Sequence, residues 1–352
     1  MQRIVVKIGS QVLCDDGGRL NTVVLTALVG QLAALHREGW QVLVVSSGAV
    51  AAGQDVPLTG RLDKGDPVTR KQVLAAADQV RLMQSYHQLF DGHGLAIAQV
   101  LASKSDFQTR NHYLNMRNCI EGILDNGMIP VVNENDVVSI TELMFTDNDE
   151  LAGLLASMVN ADLMCMLSTV TGVFAGDHVI EQWDESLHKV DEIVGDGTSW
   201  LGRGGMHSKI SVARKTAALG TPVVIADGRV ENILHRIATG ETCGTRFAAR
   251  TGVSPAKRWL ASANDHAAGT VRINAGAEQA LRDKNQLTSL LLVGAVALDG
   301  DFSRGDVIRI VGENGSVIGV GRARYDCKEA RELLGQKDLK PLIHCDYLYL
   351  TE

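Results

Sequence analysis

The stretch IPVVNENDVV, residues 129–138, passes abruptly from an apolar run to four consecutive polar residues. Met128 to Val132 is aliphatic and uncharged, the character of a strand buried on both faces, and Asn133-Glu134-Asn135-Asp136 ends it. A second polar knot, TDND at 146–149, opens a helix expected over Asp147–Asn160. Acidic residues in that first turn are placed where the helix dipole favours them. A buried strand with polar residues at its carboxyl end, followed by a helix, is the repeating unit of an open parallel sheet.

The same unit recurs on both sides of this stretch. Strands are expected at Arg3–Ile8, Gln41–Val45, Leu95–Leu101, Ala161–Leu167 and Pro222–Ile225. Helices are expected at Thr22–Glu38, Thr69–Phe90, Asn111–Asn126 and Met206–Leu219, from apolar residues recurring at helical spacing. The fold class is therefore α/β: a three-layer α/β/α arrangement around a mostly parallel sheet, over residues 1–250. In such sheets ligands bind beyond the carboxyl ends of the strands. Polar clusters fall at those ends here: Gly9-Ser10, Ser47-Gly48 and Asn133–Asp136. After a linker at Thr251–Ala256 the pattern changes to short strands, Gly269–Ile273, Val307–Val311, Val317–Ala323 and Tyr347–Leu350, separated by turn signals. Residues 257–352 are thus expected to form a small, mainly β domain.

Composition narrows the function. The chain has 352 residues, 45% of them apolar and 21% charged, with 36 glycines and a net charge of −7. Residues 257–352 hold 13 Lys and Arg against 13 Asp and Glu, so the first 256 residues carry the whole of the −7. Neither part is a broadly basic surface, which argues against RNA as a partner. Six cysteines without CxxC spacing argue against a zinc knuckle or a disulfide framework, and no metal-ligating set is expected. Met1–Ser10 reads as a strand rather than a signal core, and the longest apolar run, Leu290–Leu298, is too short to span a membrane. A cytoplasmic location is expected.

Four segments could carry chemistry. Lys7-Ile8-Gly9-Ser10 places an ammonium and a glycine turn at a strand end, where both can face phosphate oxygens. SSGAVAAG at 46–53 offers small residues that let a ligand approach the backbone. The 133–136 and 146–149 knots flank one loop, more polar groups than turn and cap chemistry requires. Gly202–Lys209 is a glycine-rich loop entering a helix. GxxxxGK[ST] occurs nowhere, which excludes a P-loop kinase.

Together VVKIGS (5–10), SSGAVAAG, IPVVNENDVV, TDND and GGMHSK (204–209) resemble the amino acid kinase superfamily, and within it the glutamate 5-kinases. The part beyond residue 257, with Lys257-Arg258-Trp259 and Phe302-Ser303-Arg304-Gly305-Asp306-Val307-Ile308, resembles the PUA domain that bacterial members carry. The resemblance implies transfer of a phosphoryl group from ATP, with Mg²⁺, to the side-chain carboxylate of L-glutamate. Lys7 and Lys209 would neutralise the transferred group, and Asp149 would orient the lysines. Ser47, Asp136 and Asn148 would hold glutamate. Lys7, Gly9, Ser10, Ser168, Thr169 and Arg203-Gly204-Gly205-Met206-His207-Ser208-Lys209 would line the ATP site. It also implies a homo-oligomer (dimer or tetramer) and proline as a feedback inhibitor. Two departures stand out. Ser168-Thr169 replaces the usual Thr-Asp, removing a carboxylate, and Arg203 and His207 replace hydroxyl residues. Acetylglutamate, aspartate, carbamate or UMP as acceptor, and an RNA-binding regulatory protein, are the other readings.

Overall fold

The computed structural model describes residues 1–15, 17–47, 67–108, 110–138, 148–188, 205–250, 260, 267–283, 288–337 and 339–350. The linker expected at 251–256 lies outside them. Contacts divide the chain into two compact units, residues 1–103 with 118–251, and residues 104–117 with 252–352. No helix among the described residues is long and apolar enough to cross a membrane.

The first unit is built on a seven-stranded sheet. Its strands are β1 (Arg3–Ile8), β2 (Gln41–Ser46), β3 (Ile97–Ala102), β4 (Ile129–Glu134), β5 (Leu163–Ser168), β8 (Val223–Asp227) and β9 (Thr245–Phe247). A small hairpin, β6 (Phe174–Ala175) with β7 (His178–Val179), lies outside it. The order across the sheet is β3-β4-β2-β1-β5-β8-β9. All pairings are parallel except β8 with β9, which closes one edge antiparallel. Strand order reverses at β1, which is flanked by β2 and β5. That switch point is where an open parallel sheet leaves a crevice for a ligand.

Alternation along β1 sorts its side chains. Ile4, Val6 and Ile8 join a core with Leu25, Leu28 and Leu32 of the helix Thr22–Arg37, and with Leu82, Tyr86 and Phe90 of the helix Pro67–Asp91. The opposite face, which takes Val5 and Lys7, is covered by the helix Asn148–Met158. The helix Met206–Ala218 packs beside that helix. Helices thus line both faces, the three layers expected.

The middles of the central strands are apolar, as burial on both faces requires. The polar cluster stands apart from them. Asn133 and Glu134, expected to end β4, are inside it and buried. The Asn133 side chain is tolerated because it finds lateral partners, described below.

The second unit holds a five-stranded, mainly antiparallel sheet: Gly269–Ile273, Ala295–Gly300, Val307–Val311, Val317–Arg322 and Leu348–Leu350. Val271, Ile273, Ile308, Ile310 and Ile318 alternate into a core of their own with Phe302, Leu342 and Ile343. The strand Ala295–Gly300 and the short helices Ala275–Arg282 and Cys327–Glu332 add to the strands the sequence pattern marks.

Candidate active site

Lys7, near the carboxyl end of β1, reaches the first turn of the helix Asn148–Met158. Its Nζ lies 2.5 Å from Asp149 Oδ1. Lys209, in the first turn of the helix Met206–Ala218, donates from Nζ to Asp149 Oδ2 at 2.7 Å. The Asp149 side chain is fully buried, and the lysine side chains are 5% and 12% exposed. Burial alone would raise the Asp149 carboxyl; the ammonium groups of Lys7 and Lys209 outweigh it and hold it below its ordinary value. One carboxylate against two ammoniums leaves the trio with one net positive charge, poised for an anion.

Two close approaches make this geometry. Gly9 N–H donates to Leu167 O at 3.2 Å, drawing the end of β1 against β5. A Cβ on Gly9 would stand 3.3 Å from that carbonyl. Gly153, one turn beyond Asp149, lets the two helices touch, for a Cβ there would stand 2.7 Å from Thr216 Oγ1 and 2.9 Å from Val212 Cγ1. Helices that close bring Asp149 and Lys209 within hydrogen-bond reach.

A second network crosses the same strand ends. Asn148 Nδ2 donates to Ser47 Oγ and to Asn133 Oδ1, each at 3.0 Å. Asn133 Oδ1 also accepts from Glu134 N–H, and Asn133 Nδ2 donates to Gln79 Oε1 at 2.9 Å. Asn148 Oδ1 is buried and has no hydrogen-bond partner among the described residues. A buried amide oxygen left unpaired carries a desolvation cost that a bound ligand donor, such as an ammonium, would remove.

Asp136 is half-buried and lines a hollow of about 250 Å³ with Gln79, Gln99, Glu134, Asn135 and Val137. Gln79 belongs to both the hollow and the Asn133 network, which makes the two neighbours.

On the other side of β1, Ser10 opens the short helix Ser10–Leu13, with Gly9 as its N-cap. Ser168 ends β5, and its carbonyl accepts from Gly228 N–H at 2.9 Å. Thr169 follows, its carbonyl accepting from Arg229 Nη2 at 2.6 Å. Gly205 is the N-cap of the helix begun by Met206-His207-Ser208-Lys209. Arg203 and Gly204, like Asp147, lie outside the described residues.

Three side chains join this picture that the sequence pattern left unmarked. Gln79 sits mid-helix on an amphipathic stretch and gains meaning only from its reach to Asn133. Asp227 is paired in register with Ser168 and salt-bridged to Arg229 at 2.8 Å. That hydrogen-bonded guanidinium holds the Asp227 carboxyl below its ordinary value. A carboxylate is therefore present beside the Ser168-Thr169 corner, supplied by the neighbouring strand and occupied by Arg229. A strand-end Asp two residues before an Arg was the available signal.

Known proteins share these features. The amino acid kinase family model matches residues 2–227, and the PUA domain model matches residues 269–343. A protein of Chlorobaculum tepidum named glutamate 5-kinase is 46% identical, covering 99% of this chain and 98% of its own length. Proteins of the same name from Bacteroides thetaiotaomicron and Deinococcus radiodurans are 41% and 36% identical, over 99% and 98% of this chain and 98% and 96% of their own. With the Lys7–Asp149–Lys209 trio at the switch point of a mostly parallel sheet, and likeness to those relatives along nearly its whole length, the chain belongs to the amino acid kinase family, in the branch whose members are named glutamate 5-kinase.

Proposed function

We infer that the chain transfers the terminal phosphoryl group of ATP to the side-chain carboxylate of L-glutamate, giving L-glutamyl 5-phosphate, the first step of proline synthesis. The observation that carries this reading is the buried carboxylate shared by two ammonium groups. A carboxylate is already a nucleophile at neutral pH, so no general base is required. The barrier comes from bringing two anions together, and positioned positive charge is what lowers it.

Lys7 and Lys209 contact the phosphoryl oxygens in this scheme, and Asp149 keeps the two ammoniums at a fixed spacing. Asn148 turns its unpaired Oδ1 to the glutamate ammonium, with Ser47 and Asn133 holding the amide in place. Asp136 supplies charge from the neighbouring hollow. Gly9, Ser10, Ser168, Thr169 and Arg203 to Lys209 line the nucleotide. Both Asp149 oxygens are taken by lysines. Mg²⁺ fits this site as a companion of the ATP phosphates rather than as a guest of protein carboxylates, where it would neutralise phosphate charge. Residues 1–250 carry these sites, and residues 257–352 form a PUA-like domain. A cytoplasmic homo-oligomer inhibited by proline completes the reading, on family likeness alone.

The test is an acyl-phosphate assay. The protein is incubated with Mg-ATP and a panel of glutamate, acetylglutamate and aspartate, and product is trapped with hydroxylamine. Turnover with glutamate is expected. Turnover confined to acetylglutamate or aspartate rejects the assignment.

A further inference from the structure

The second unit holds a hollow of about 430 Å³ lined by Arg304, Gly305, Arg322, Ala323, Arg324, His344 and Tyr347. Three guanidinium groups on one concave wall are unusual in a domain whose charges balance. None of the three has a carboxylate partner among the described residues. Arg19, Arg214, Arg229, Arg236 and Arg282 each have one. The even count of acids and bases along residues 257–352 therefore conceals a local separation of charge.

The hollow is also held in shape. Arg322 and Arg324 alternate about the buried Ala323. Gly305 N–H donates to Ala323 O, and Ala323 N–H to Asp306 O, both at 2.9 Å, so the turn bearing Arg304 is tied to the segment bearing the other two. Arg324 N–H is bonded to Leu342 O at 2.9 Å. The Arg322 guanidinium carbon lies over the Tyr347 ring, 3.6 Å from its centroid. Stacking uses the face of a guanidinium and leaves its N–H edges to bind. His344 Nδ1 lies 3.3 Å from the Asp346 backbone nitrogen. Asp346 is the acid at this rim, 3.3 Å from the His344 ring.

We propose that this hollow is a second anion site, taking the phosphate or diphosphate end of a small phosphorylated ligand. Three forked donors suit an anion with several oxygens and more than one charge. A lone carboxylate could satisfy one fork and would leave the remaining guanidiniums facing each other. The concave form and fixed wall favour a compact terminal group over an extended strand.

Calorimetric titration of the full chain with sodium pyrophosphate, at an ionic strength of about 0.15 M, tests it. Arg304→Gln/Arg324→Gln keeps the Arg322–Tyr347 stack. It is expected to lose one bound pyrophosphate per chain relative to the wild type, with glutamate phosphorylation unchanged. If the double variant melts early, Arg324→Lys replaces it; keeping the charge but losing the fork should weaken that site about tenfold. Equal stoichiometry and affinity in wild type and variants overturns the proposal. So does arginine-dependent binding of a single-stranded RNA of about a dozen nucleotides without binding of pyrophosphate.

Discussion

The Lys7 ammonium stands 2.5 Å from Asp149 Oδ1, and almost nothing of either side chain reaches water. Removing the charge on Asp149 leaves two ammoniums, Lys7 and Lys209, facing each other without a counter-charge between them. Asp149→Asn should lower turnover at least ~100-fold and destabilise the fold by about 3 kcal/mol. Adding Lys7→Met to Asp149→Asn should recover part of that stability and none of the activity. Urea unfolding of Asp149→Asn, Lys7→Met and the double variant checks this: additive losses would separate Lys7 from Asp149 energetically.

The acid limb of the stability curve follows from the same pair. The Asp149 carboxyl is held low by its lysines despite burial, whereas an unfolded Asp titrates near pH ~4. A depressed carboxylate contributes its full stability above the unfolded value and loses it as pH falls through the folded one. The gap in melting temperature between wild type and Asp149→Asn should be flat from about pH 5 to 8 and close below about pH 4. A gap that widens in acid would mean the carboxyl is not held low.

Asn148 spends both amide hydrogens on Ser47 and Asn133. Asn148→Leu should raise the KM for glutamate roughly 100-fold, while the KM for ATP stays within about threefold. Ser47→Ala, which removes one acceptor and leaves the other, should raise it about tenfold. Steady-state kinetics with each substrate varied in turn distinguishes a glutamate role from a nucleotide role.

Gly153 sets the spacing of the helices that bear Asp149 and Lys209. Gly153→Ala forces a methyl against Thr216 and Val212 and should cost about 1–3 kcal/mol. Activity measured well below the melting temperature should fall as well, because the lysine shifts with its helix. A destabilised but fully active Gly153→Ala would show that the Asp149–Lys209 contact tolerates movement.

Asp78 is fully buried in the helix Pro67–Asp91, and neither carboxylate oxygen has a hydrogen-bond partner among the described residues. Burial pushes its carboxyl up to about 6, against a smaller opposing pull from Arg81. A raised carboxyl favours the folded state below the unfolded value of about 4 and loses that advantage as pH rises through 6. Asp78→Asn should therefore melt a few degrees higher than wild type at about pH 8, and the gain should vanish near about pH 4. Paired thermal melts at both pH values decide it.

Much of the fold could be read from aliphatic runs and turns. Arg3–Ile8, Gly269–Ile273 and Val307–Val311 are strands over the residues their patterns mark. The misreadings have physical causes. Leu290–Leu298 has no period, so nothing in it reveals the turn at Leu292–Gly294 that divides it before the strand Ala295–Gly300. The strand Thr245–Phe247 is too short to carry an alternation. The helix Cys327–Glu332 went unmarked, although Asp326 caps the Glu329 N–H, a spacing typical of helix starts. In the site, Lys7, Asp149 and Lys209 are visible as polar residues at strand ends and helix starts. Their meeting is not visible, because it depends on which strands are neighbours. Asn133, expected to end the strand, is a strand residue that fixes Asn148.

The placement of Arg3–Ile8 in the middle of the sheet bears on how the protein is made. Translation delivers this strand before the other six of its sheet, and Gln41–Ser46 soon gives it one neighbour. Its other neighbour, Leu163–Ser168, emerges more than a hundred residues later. Through that interval the nascent chain presents an unpaired edge whose middle, Ile4–Val6, is aliphatic, the kind that captures strands from other molecules. Ribosome-bound fragments ending before residue 168 are thus the form of this protein with greatest need of a chaperone, and slow codons placed just after that point would lengthen no hazard.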